Sequence, residues 1–384
     1  MSPADDGEAR TGHGVSPDAA GEARAGRGVS PAADGPLLEV EHLKLLFPIK
    51  HGILVDRVVG HVHAVDDITF TLREGETLGL VGESGCGKTT LSRTVMRLLE
   101  PTGGTLRFRG TDVTHASRRK LMPLRREMQM VFQDPYASLN PRKRVGQIVG
   151  VALERAGKDD GHVEQRVREL LDRVGLSPEH VNRFPHEFSG GQRQRIGVAL
   201  ALAVQPRLIV LDEPVSALDV SIQAQIINLL DDLQNDLGLT YLFVAHDLSV
   251  VRHVSDRIAV MYLGKLMEIS PSEELYTKPI HPYAAALLEA IPIPDPRENR
   301  ARRRSVVSGE PPNPINPPSG CVFHPRCPRA TDVCRTVEPP LTAYANAHVA
   351  ACHHPLNVSA AEIAAATISP ASPLSAGTAM PEAA

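Results

Sequence analysis

The sequence has no marked excess of charge of either sign and no apolar run long enough to cross a membrane. Its 41 lysines and arginines nearly balance 45 aspartates and glutamates, which leaves a formal net charge of −4. Because the net charge is small and the two signs are mixed, the bulk composition does not indicate a nucleic-acid partner. The longest apolar run, residues 196–204, stops at Gln205, far short of the ~20 residues of a membrane-spanning helix.

The N-terminus also lacks the continuous apolar segment of a secretory signal, so we expect a cytosolic protein. Cysteine is scarce as well, with five residues in the whole chain. Four of them are crowded between Cys321 and Cys352. In a reducing compartment, such crowding favours a local metal site over a framework of disulfides.

The first part of the chain is a tandem repeat of low complexity. Residues 2–15 recur with few changes as residues 16–29, and a third copy begins at Ser30. The repeat is too short and too poor in apolar residues to stack into a solenoid, so we expect residues 1–36 to form a disordered extension. From Leu37 onward the composition is that of a globular domain.

Strand-like and helix-like patterns alternate through residues 37–270. Residues 63–72 have the alternation of a half-buried strand, whereas the wholly apolar segment 208–211 predicts a strand buried on both faces, as in a parallel sheet. Between Asp134 and Val204 the apolar spacing is helical. The sequence therefore predicts an α/β domain with a helical insert.

The stretch VGESGCGKTT, residues 81–90, lies between an apolar strand and a helical pattern. Strand, glycine-rich turn and helix are the context of a P-loop, in which backbone N–H groups and a helix N-terminus face a polyphosphate. We expect the Lys88 ammonium on the β- and γ-phosphates, the Thr89 hydroxyl on Mg²⁺, and Cys86 as a small spacer. The predicted nucleotide-binding residues of the loop are Gly82, Glu83, Ser84, Gly85, Cys86, Gly87, Lys88, Thr89 and Thr90.

Two acidic residues, Asp212 and Glu213, follow the buried strand 208–211. At the carboxyl end of a parallel strand beside a P-loop, Asp212 could hold Mg²⁺ and Glu213 could take a proton from the water that attacks the γ-phosphate. A solvated acidic turn is the alternative for such a pair. The motifs that accompany it favour the catalytic interpretation.

Those motifs are Gln133, FSGGQRQR at 188–195, SALD at 216–219 and His246. In this order and spacing, with the P-loop and the acidic pair, residues 37–270 resemble the ATP-binding cassette (ABC) ATPases. The resemblance implies a RecA-like P-loop NTPase fold with a helical subdomain. It also implies ATP and Mg²⁺ as ligands and ATP hydrolysis as the activity.

The resemblance further assigns a role to the segment that opens the predicted helix after Phe188. In this family the signature loop closes on the ATP held by a second subunit, which implies a dimer, and Asp219 resembles the family's aspartate at that interface. The predicted signature residues are Ser189, Gly190, Gly191 and Gln192.

Gln133, which ends the predicted strand 128–134, and His246, which follows an apolar strand, complete the implied catalytic set. Gln133 resembles the residue that reaches Mg²⁺ and the attacking water and senses the membrane partner. His246 resembles the switch histidine that contacts the γ-phosphate. The family also stacks adenine on an aromatic residue before the P-loop; here Phe47 and His61 are both candidates, and residues 50–60 look like an insertion.

Two further segments indicate a subgroup of this family: FQDPYASLNPR at 132–142 and HPYAAALLEAIP at 281–292. These resemble the ATP-binding subunits of dipeptide, oligopeptide and nickel importers. The resemblance implies a second ATPase subunit, identical or homologous, two integral-membrane permeases and an extracytoplasmic solute-binding protein as partners, at the cytoplasmic face of the membrane. A nickel importer and a soluble ABC ATPase without a transport role are the alternatives.

The importer-type extension is expected over residues 271–355, with a disordered tail over 356–384. It contains Cys321, Cys327, Cys334 and Cys352. Four thiolates in a short, proline-rich segment can hold Zn²⁺ or an iron–sulfur cluster, and would fold a segment poor in apolar residues. The resemblance to importers of this group favours a [4Fe–4S] cluster; cysteines without a metal are the alternative.

Overall fold

A computed structural model describes residues 35–51, 57–134, 138–157, 161–291 and 309–368. Nearly all of the predicted repeat extension and residues 369–384 lie outside these ranges. In the described part of the chain, no helix is both long enough and apolar enough to cross a membrane.

The strands fall into two sheets. In chain order they are β1 Leu38–His51, β2 Arg57–Leu72, β3 Thr77–Val81, β4 Gly103–Phe108, β5 Thr111–Asp112, β6 Met128–Val131, β7 Leu208–Asp212, β8 Thr240–Val244, β9 Arg257–Tyr262, β10 Lys265–Pro271, β11 Thr342–Ala343, β12 Val349–Ala350 and β13 Thr367–Ile368.

The helices pack around these sheets. They are α1 Lys88–Val95, α2 Arg118–Glu127, α3 Val145–Arg155, α4 Val163–Arg173, α5 Gly190–Leu202, α6 Val220–Leu237, α7 Leu248–Val254, α8 Ser272–Thr277, α9 Pro282–Glu289, α10 Asp332–Thr336 and α11 Ala360–Ala365. Single 3₁₀ turns occur at Pro178–Asn182, Pro185–Glu187, His324–Arg326 and Ala345–Ala347.

The larger sheet has the strand order β13-β11-β12-β10-β9-β3-β8-β7-β6. Its centre is parallel, because β3 pairs in parallel with both β9 and β8, and the parallel pairing continues through β7 to β6. The strand before the P-loop is therefore flanked on both sides. The carboxyl ends of β3, β6, β7 and β8 meet at one edge, where ligands bind in open α/β sheets.

The central strands are apolar throughout because both of their faces are covered. Successive side chains point to opposite faces, so Ile209 and Leu211 join one buried cluster while Leu208 and Val210 join the other. The prediction of an α/β domain built on buried parallel strands is confirmed.

The smaller sheet is antiparallel, in the order β2-β1-β4-β5. Of the predicted insertion at residues 50–60, residues 50–51 belong to β1 and residues 57–60 to β2, with Lys50 opposite Val58. Residues 52–56 lie outside the described part of the chain. Phe47 is paired with Val62, and His61 is the residue next to Val62 in β2. Since neighbouring residues of a strand point to opposite faces, Phe47 and His61 lie on opposite faces of the hairpin, and only one of them can face a bound base.

The helical insert is present between β6 and β7. Helices α3, α4 and α5 form it, with their apolar faces buried in a common cluster. One boundary differs from expectation: β6 ends at Val131, so Gln133 lies two residues beyond the strand instead of ending it.

The C-terminal region extends the larger sheet. Strand β12 pairs with β10, placing Val349 opposite Ile269, and β11 joins β12 to β13. The predicted disorder from residue 356 is therefore wrong for residues 356–368. Helix α11 is capped by Ser359 and Glu362, each of which accepts a hydrogen bond from the backbone N–H of the other, and this capping box marks the start of the helix in an Ala-rich segment.

Candidate functional site

The P-loop follows β3 and fits closely between two neighbouring backbone segments. Gly82 and Gly87 have φ angles of 156° and 107°. A Cβ atom at Gly82 would lie 2.1 Å from the carbonyl oxygen of Met261, and one at Gly87 would lie 2.1 Å from that of Ala64. Only glycine tolerates both the angle and the contact. Strands β9 and β2 thus shape the loop, whose tip, Ser84-Gly85, is exposed.

Lys88, the first residue of α1, is 5% exposed. Its ammonium group donates hydrogen bonds to the carbonyl oxygens of Gly82 at 2.7 Å and Glu83 at 3.0 Å. A phosphate oxygen is a stronger acceptor than a carbonyl, so the ammonium is placed to exchange these bonds for bonds to a phosphate. Cys86 is buried beneath the loop, and this burial raises the pKa of its thiol.

Thr89 and Asp212 meet across the site. The Thr89 hydroxyl donates to Asp212 Oδ1 at 3.0 Å. Asp212 is 2% exposed, and its burial raises the pKa of the carboxyl group, although the Thr89 hydrogen bond opposes that shift. A hydroxyl and a carboxylate oxygen side by side form the kind of oxygen donor set that Mg²⁺ prefers, so the two residues fit the predicted ion.

Glu213 brings the ends of three strands together. Gln133, beyond β6, donates its side-chain amide to Glu213 Oε2 at 2.9 Å, and His246, beyond β8, places Nδ1 3.5 Å from the same oxygen. Glu213 itself has a φ of 48°, a backbone conformation that non-glycine residues rarely adopt. Such strain persists only where the surroundings hold it, and it concentrates at functional sites. The structure therefore assembles the three predicted catalytic side chains.

The predicted signature residues open helix α5 on another part of the fold. Ser189 is the N-cap: its hydroxyl accepts from the Gln192 backbone N–H at 3.3 Å, and the Gln192 side chain accepts from the Ser189 N–H at 3.0 Å. A Cβ at Gly191 would lie 2.4 Å from Ile222 Cγ2, and one at Gly190 would lie 3.2 Å from Leu218 Cδ2. The loop therefore packs tightly against the start of α6, which Asp219 precedes as its N-cap residue.

A buried polar network connects β10 to the C-terminal region, and the sequence motifs did not reveal it. Glu268 is fully buried, and its carboxylate accepts from the backbone N–H groups of Ile280 at 2.9 Å and His281 at 2.7 Å and contacts His348 Nε2 at 2.5 Å. His281 in turn caps α9, its Nδ1 accepting from the Tyr283 N–H at 3.0 Å. An acid within the apolar strand β10 was the available signal, since a buried charge requires partners.

The buried His281 predicts that the protein loses stability in acid. Burial lowers the pKa of His281 to about 3, against about 6.5 in the unfolded chain. Below pH 6.5 His281 therefore binds a proton in the unfolded chain but stays neutral in the folded chain. The free energy of unfolding consequently falls as the pH drops toward 3. Urea unfolding at pH 7 and pH 5 should show a loss of about 2 kcal/mol.

His281→Asn, which retains a cap acceptor, should lack this part of the loss. An equal acid sensitivity in His281→Asn and wild type would show that other groups account for it.

The four clustered cysteines do not form the predicted metal site. Across residues 309–368 and the other described ranges, no group of three or more His, Cys, Asp or Glu side chains could hold a metal ion. Burial raises the pKa of Cys321 to about 11 and that of Cys352 to about 12. The [4Fe–4S] and Zn²⁺ assignments at Cys321, Cys327, Cys334 and Cys352 are therefore unsupported.

The role expected for a metal was to fold a segment poor in apolar residues. The segment is not too poor in apolar residues to fold, because Val322 and Phe323 are almost fully buried in the main core. Phe323 meets the rings of Tyr262 and Tyr283 at 5.3 and 5.2 Å between centroids. Apolar packing thus holds this segment, at the place where a metal was expected to do so.

A P-loop between parallel strands, an adjacent oxygen pair for Mg²⁺ and a glutamate at a strained strand end define a nucleoside-triphosphate hydrolase. Residues 65–216 match the family model described as ABC transporter, and residues 267–334 match the model described as oligopeptide/dipeptide transporter, C-terminal region. This chain belongs to the ABC transporter ATP-binding proteins with that C-terminal region. It is an ATPase of that family, as its sequence predicts.

Two relatives show how far the similarity extends. The chain is 53% identical over 319 residues to the oligopeptide transport ATP-binding protein AppF of Bacillus subtilis (strain 168), covering 83% of this chain and 97% of AppF. It is 51% identical to the probable peptide ABC transporter ATP-binding protein y4tS of Sinorhizobium fredii, covering 85% of this chain and 92% of that protein.

Two solved structures share the fold. CbiO1 from Clostridium perfringens, part of the ABC transporter complex cbiONQ, superposes with a TM-score of 0.55 at 28% identity, covering 63% of this chain and 90% of CbiO1. The ATP-binding cassette MJ0796, dimeric and bound to ADP and Pi, superposes with a TM-score of 0.54 at 26% identity, covering 61% of this chain and 98% of MJ0796. The predicted ABC fold is confirmed.

Proposed function

We propose that this chain is the ATP-hydrolysing subunit of an importer that takes up oligopeptides or dipeptides through separate membrane subunits. The observation that carries the proposal is the match of residues 267–334 to the C-terminal region of oligopeptide and dipeptide transporters. The relatives that share both this region and the cassette have names that specify oligopeptide or peptide transport.

In this function the P-loop binds ATP. Lys88 exchanges its two carbonyl acceptors for phosphate oxygens, and the N–H groups of the loop and of α1 face the same anion. Thr89 and Asp212 would hold Mg²⁺, which neutralises charge on the phosphates when it is bound.

Glu213 is the proposed general base. Its carboxylate takes a proton from the water that attacks the γ-phosphate, and Gln133 and His246 fix the position of that carboxylate through the same oxygen. Because Gln133 follows β6 at the edge of the helical insert, a movement of the insert would displace Glu213. This connection gives a route by which a membrane partner could control hydrolysis.

The working unit is proposed to be a dimer. The signature residues Ser189 to Gln192 form the N-terminus of α5, at which Ser189 is exposed, and a helix N-terminus suits an anion supplied by a second molecule. MJ0796, of similar fold, is dimeric. Asp219 is exposed and lies between Leu218 and Ile222, which contact the same loop, so it would lie at the contact between subunits.

The proposed assembly also contains two integral-membrane permeases and an extracytoplasmic solute-binding protein, with this chain at the cytoplasmic face of the membrane. Support comes from the transport names of its relatives.

Uptake of a labelled peptide by whole cells tests the proposal. A strain without this chain should lose peptide uptake, the wild-type chain should restore it, and Lys88→Ala should leave uptake at the level of the deletion strain. Lys278→Ala, which removes an exposed lysine far from the P-loop in sequence, is the matched control and should restore uptake fully.

Nickel uptake is measured in the same strains. Loss of nickel uptake with unchanged peptide uptake would favour the nickel alternative and overturn the peptide proposal. Unchanged uptake of both solutes would count against an importer.

A further inference from the structure

The C-terminal region reaches the P-loop through an arginine 243 positions away in sequence. Arg326 forms two parallel bonds with the Glu83 carboxylate, Nη1 to Oε2 at 2.7 Å and Nη2 to Oε1 at 3.0 Å. The arginine side chain is only 7% exposed. A paired, charge-assisted geometry of this kind is among the strongest polar contacts in proteins, and burial protects it from screening.

A second contact holds the same residue by its backbone. The N–H of Glu83 donates to the hydroxyl oxygen of Tyr283 at 3.0 Å, and Tyr283 is fully buried. This tyrosine packs against Tyr262 at 4.7 Å and Phe323 at 5.2 Å between ring centroids. Arg326 also donates to the Tyr262 hydroxyl at 3.3 Å. Glu83 is therefore fixed at both its side chain and its backbone.

The position of Glu83 matters because its carbonyl oxygen, with that of Gly82, holds the Lys88 ammonium group. The loop from Gly82 to Gly87 contains three glycines, and a free glycine-rich loop samples many conformations. Any ordering that binding must impose on such a loop reduces the affinity for the ligand. An external contact at Glu83 removes part of that cost.

We propose that Arg326 and Tyr283 are positioning residues that hold the P-loop in the conformation that accepts ATP, so that docking of the C-terminal region sets the affinity for nucleotide. Neither residue needs to touch the phosphates. This role depends on ATP binding at the P-loop and is independent of which solute the importer carries.

The test is the dissociation constant of MgATP for the purified full chain, measured by displacement of a fluorescent ATP analogue. Arg326→Ala should raise it about 10-fold, and Tyr283→Phe, which removes one acceptor atom, about 3-fold. In steady-state hydrolysis the KM for ATP should rise similarly while kcat changes less than about twofold. Arg326→Lys, which cannot form the two parallel bonds, should recover only part of the affinity.

Arg329→Ala removes an exposed arginine of the same segment and should bind ATP like wild type. If Arg326 acts through Glu83, then adding Arg326→Ala to Glu83→Ala should produce little further loss. Wild-type affinity in folded Arg326→Ala, or fully additive effects in the double variant, would overturn the proposal.

If Arg326→Ala does not fold, Tyr283→Phe decides alone, and an unchanged affinity in that variant would overturn the role of the contact. A wild-type chain that binds no ATP would instead count against the proposed function. The two failures are therefore distinguishable.

Discussion

Glu213→Gln is expected to lower ATP turnover by about 10²- to 10⁴-fold while ATP affinity stays within about twofold of wild type. Glutamine has the shape of glutamate, and its carbonyl oxygen can still accept the bond from Gln133 that is 2.9 Å long in the wild type. What it cannot do is take a proton from the attacking water. Since a bound triphosphate is then not consumed, the variant should accumulate as a dimer with MgATP on a sizing column.

Glu273→Gln is the matched control, because Glu273 is an acid half exposed beside Arg252 and it should show normal turnover. Substantial hydrolysis by Glu213→Gln would assign the base to another group. Loss of ATP binding in this variant would show that the carboxylate serves binding and not proton transfer.

Glu268→Ala is expected to destabilise the protein by about 3–5 kcal/mol. The carboxylate is fully buried and satisfies two backbone N–H groups, at Ile280 and His281, together with the ring of His348. Its removal leaves all three donors without their acceptor in a place that water does not reach. The midpoint of urea unfolding, with an unchanged slope, measures the effect.

Glu338→Ala provides the comparison, because Glu338 is also a paired carboxylate, 2.8 Å from Lys265 Nζ, yet it is about half exposed. Its loss should cost no more than about 1 kcal/mol. The double change Glu268→Leu with His348→Leu replaces the polar pair by apolar side chains and should be milder than Glu268→Ala. Equal unfolding midpoints for Glu268→Ala and Glu338→Ala would show that the buried network contributes no more to stability than an exposed ion pair.

The catalytic edge of the sheet could be predicted because each of its parts is local in sequence. The P-loop is a strand, a turn and a helix in immediate succession, and Asp212 and Glu213 directly follow a strand. Parallel strands that are apolar on both faces place their carboxyl ends together. The strand pattern therefore indicated Asp212 and Glu213 at this edge, and the resemblance to ABC ATPases added Gln133 and His246.

The C-terminal region could not be predicted in the same way. The crowding of the cysteines suggested a metal, yet the segment is held by Phe323 in the main core, by β12 in the main sheet and by Arg326 on the P-loop. The tail beyond residue 356 was expected to be disordered, yet its first part forms a helix and a strand pair. These features depend on partners far away in the chain, which composition does not reveal.

The sequence by itself determined the nature of this protein, because the chemistry of nucleotide binding needs particular residues at short, fixed spacings. Only the tertiary structure decided which distant residues hold the nucleotide-binding loop and the C-terminal region in place. Glu83 meets Arg326 across 243 positions, and Glu268 meets His348 across 80, because the strand order brings these segments together. Contacts between distant residues leave no periodic pattern in the chain, since each partner is selected by packing in three dimensions.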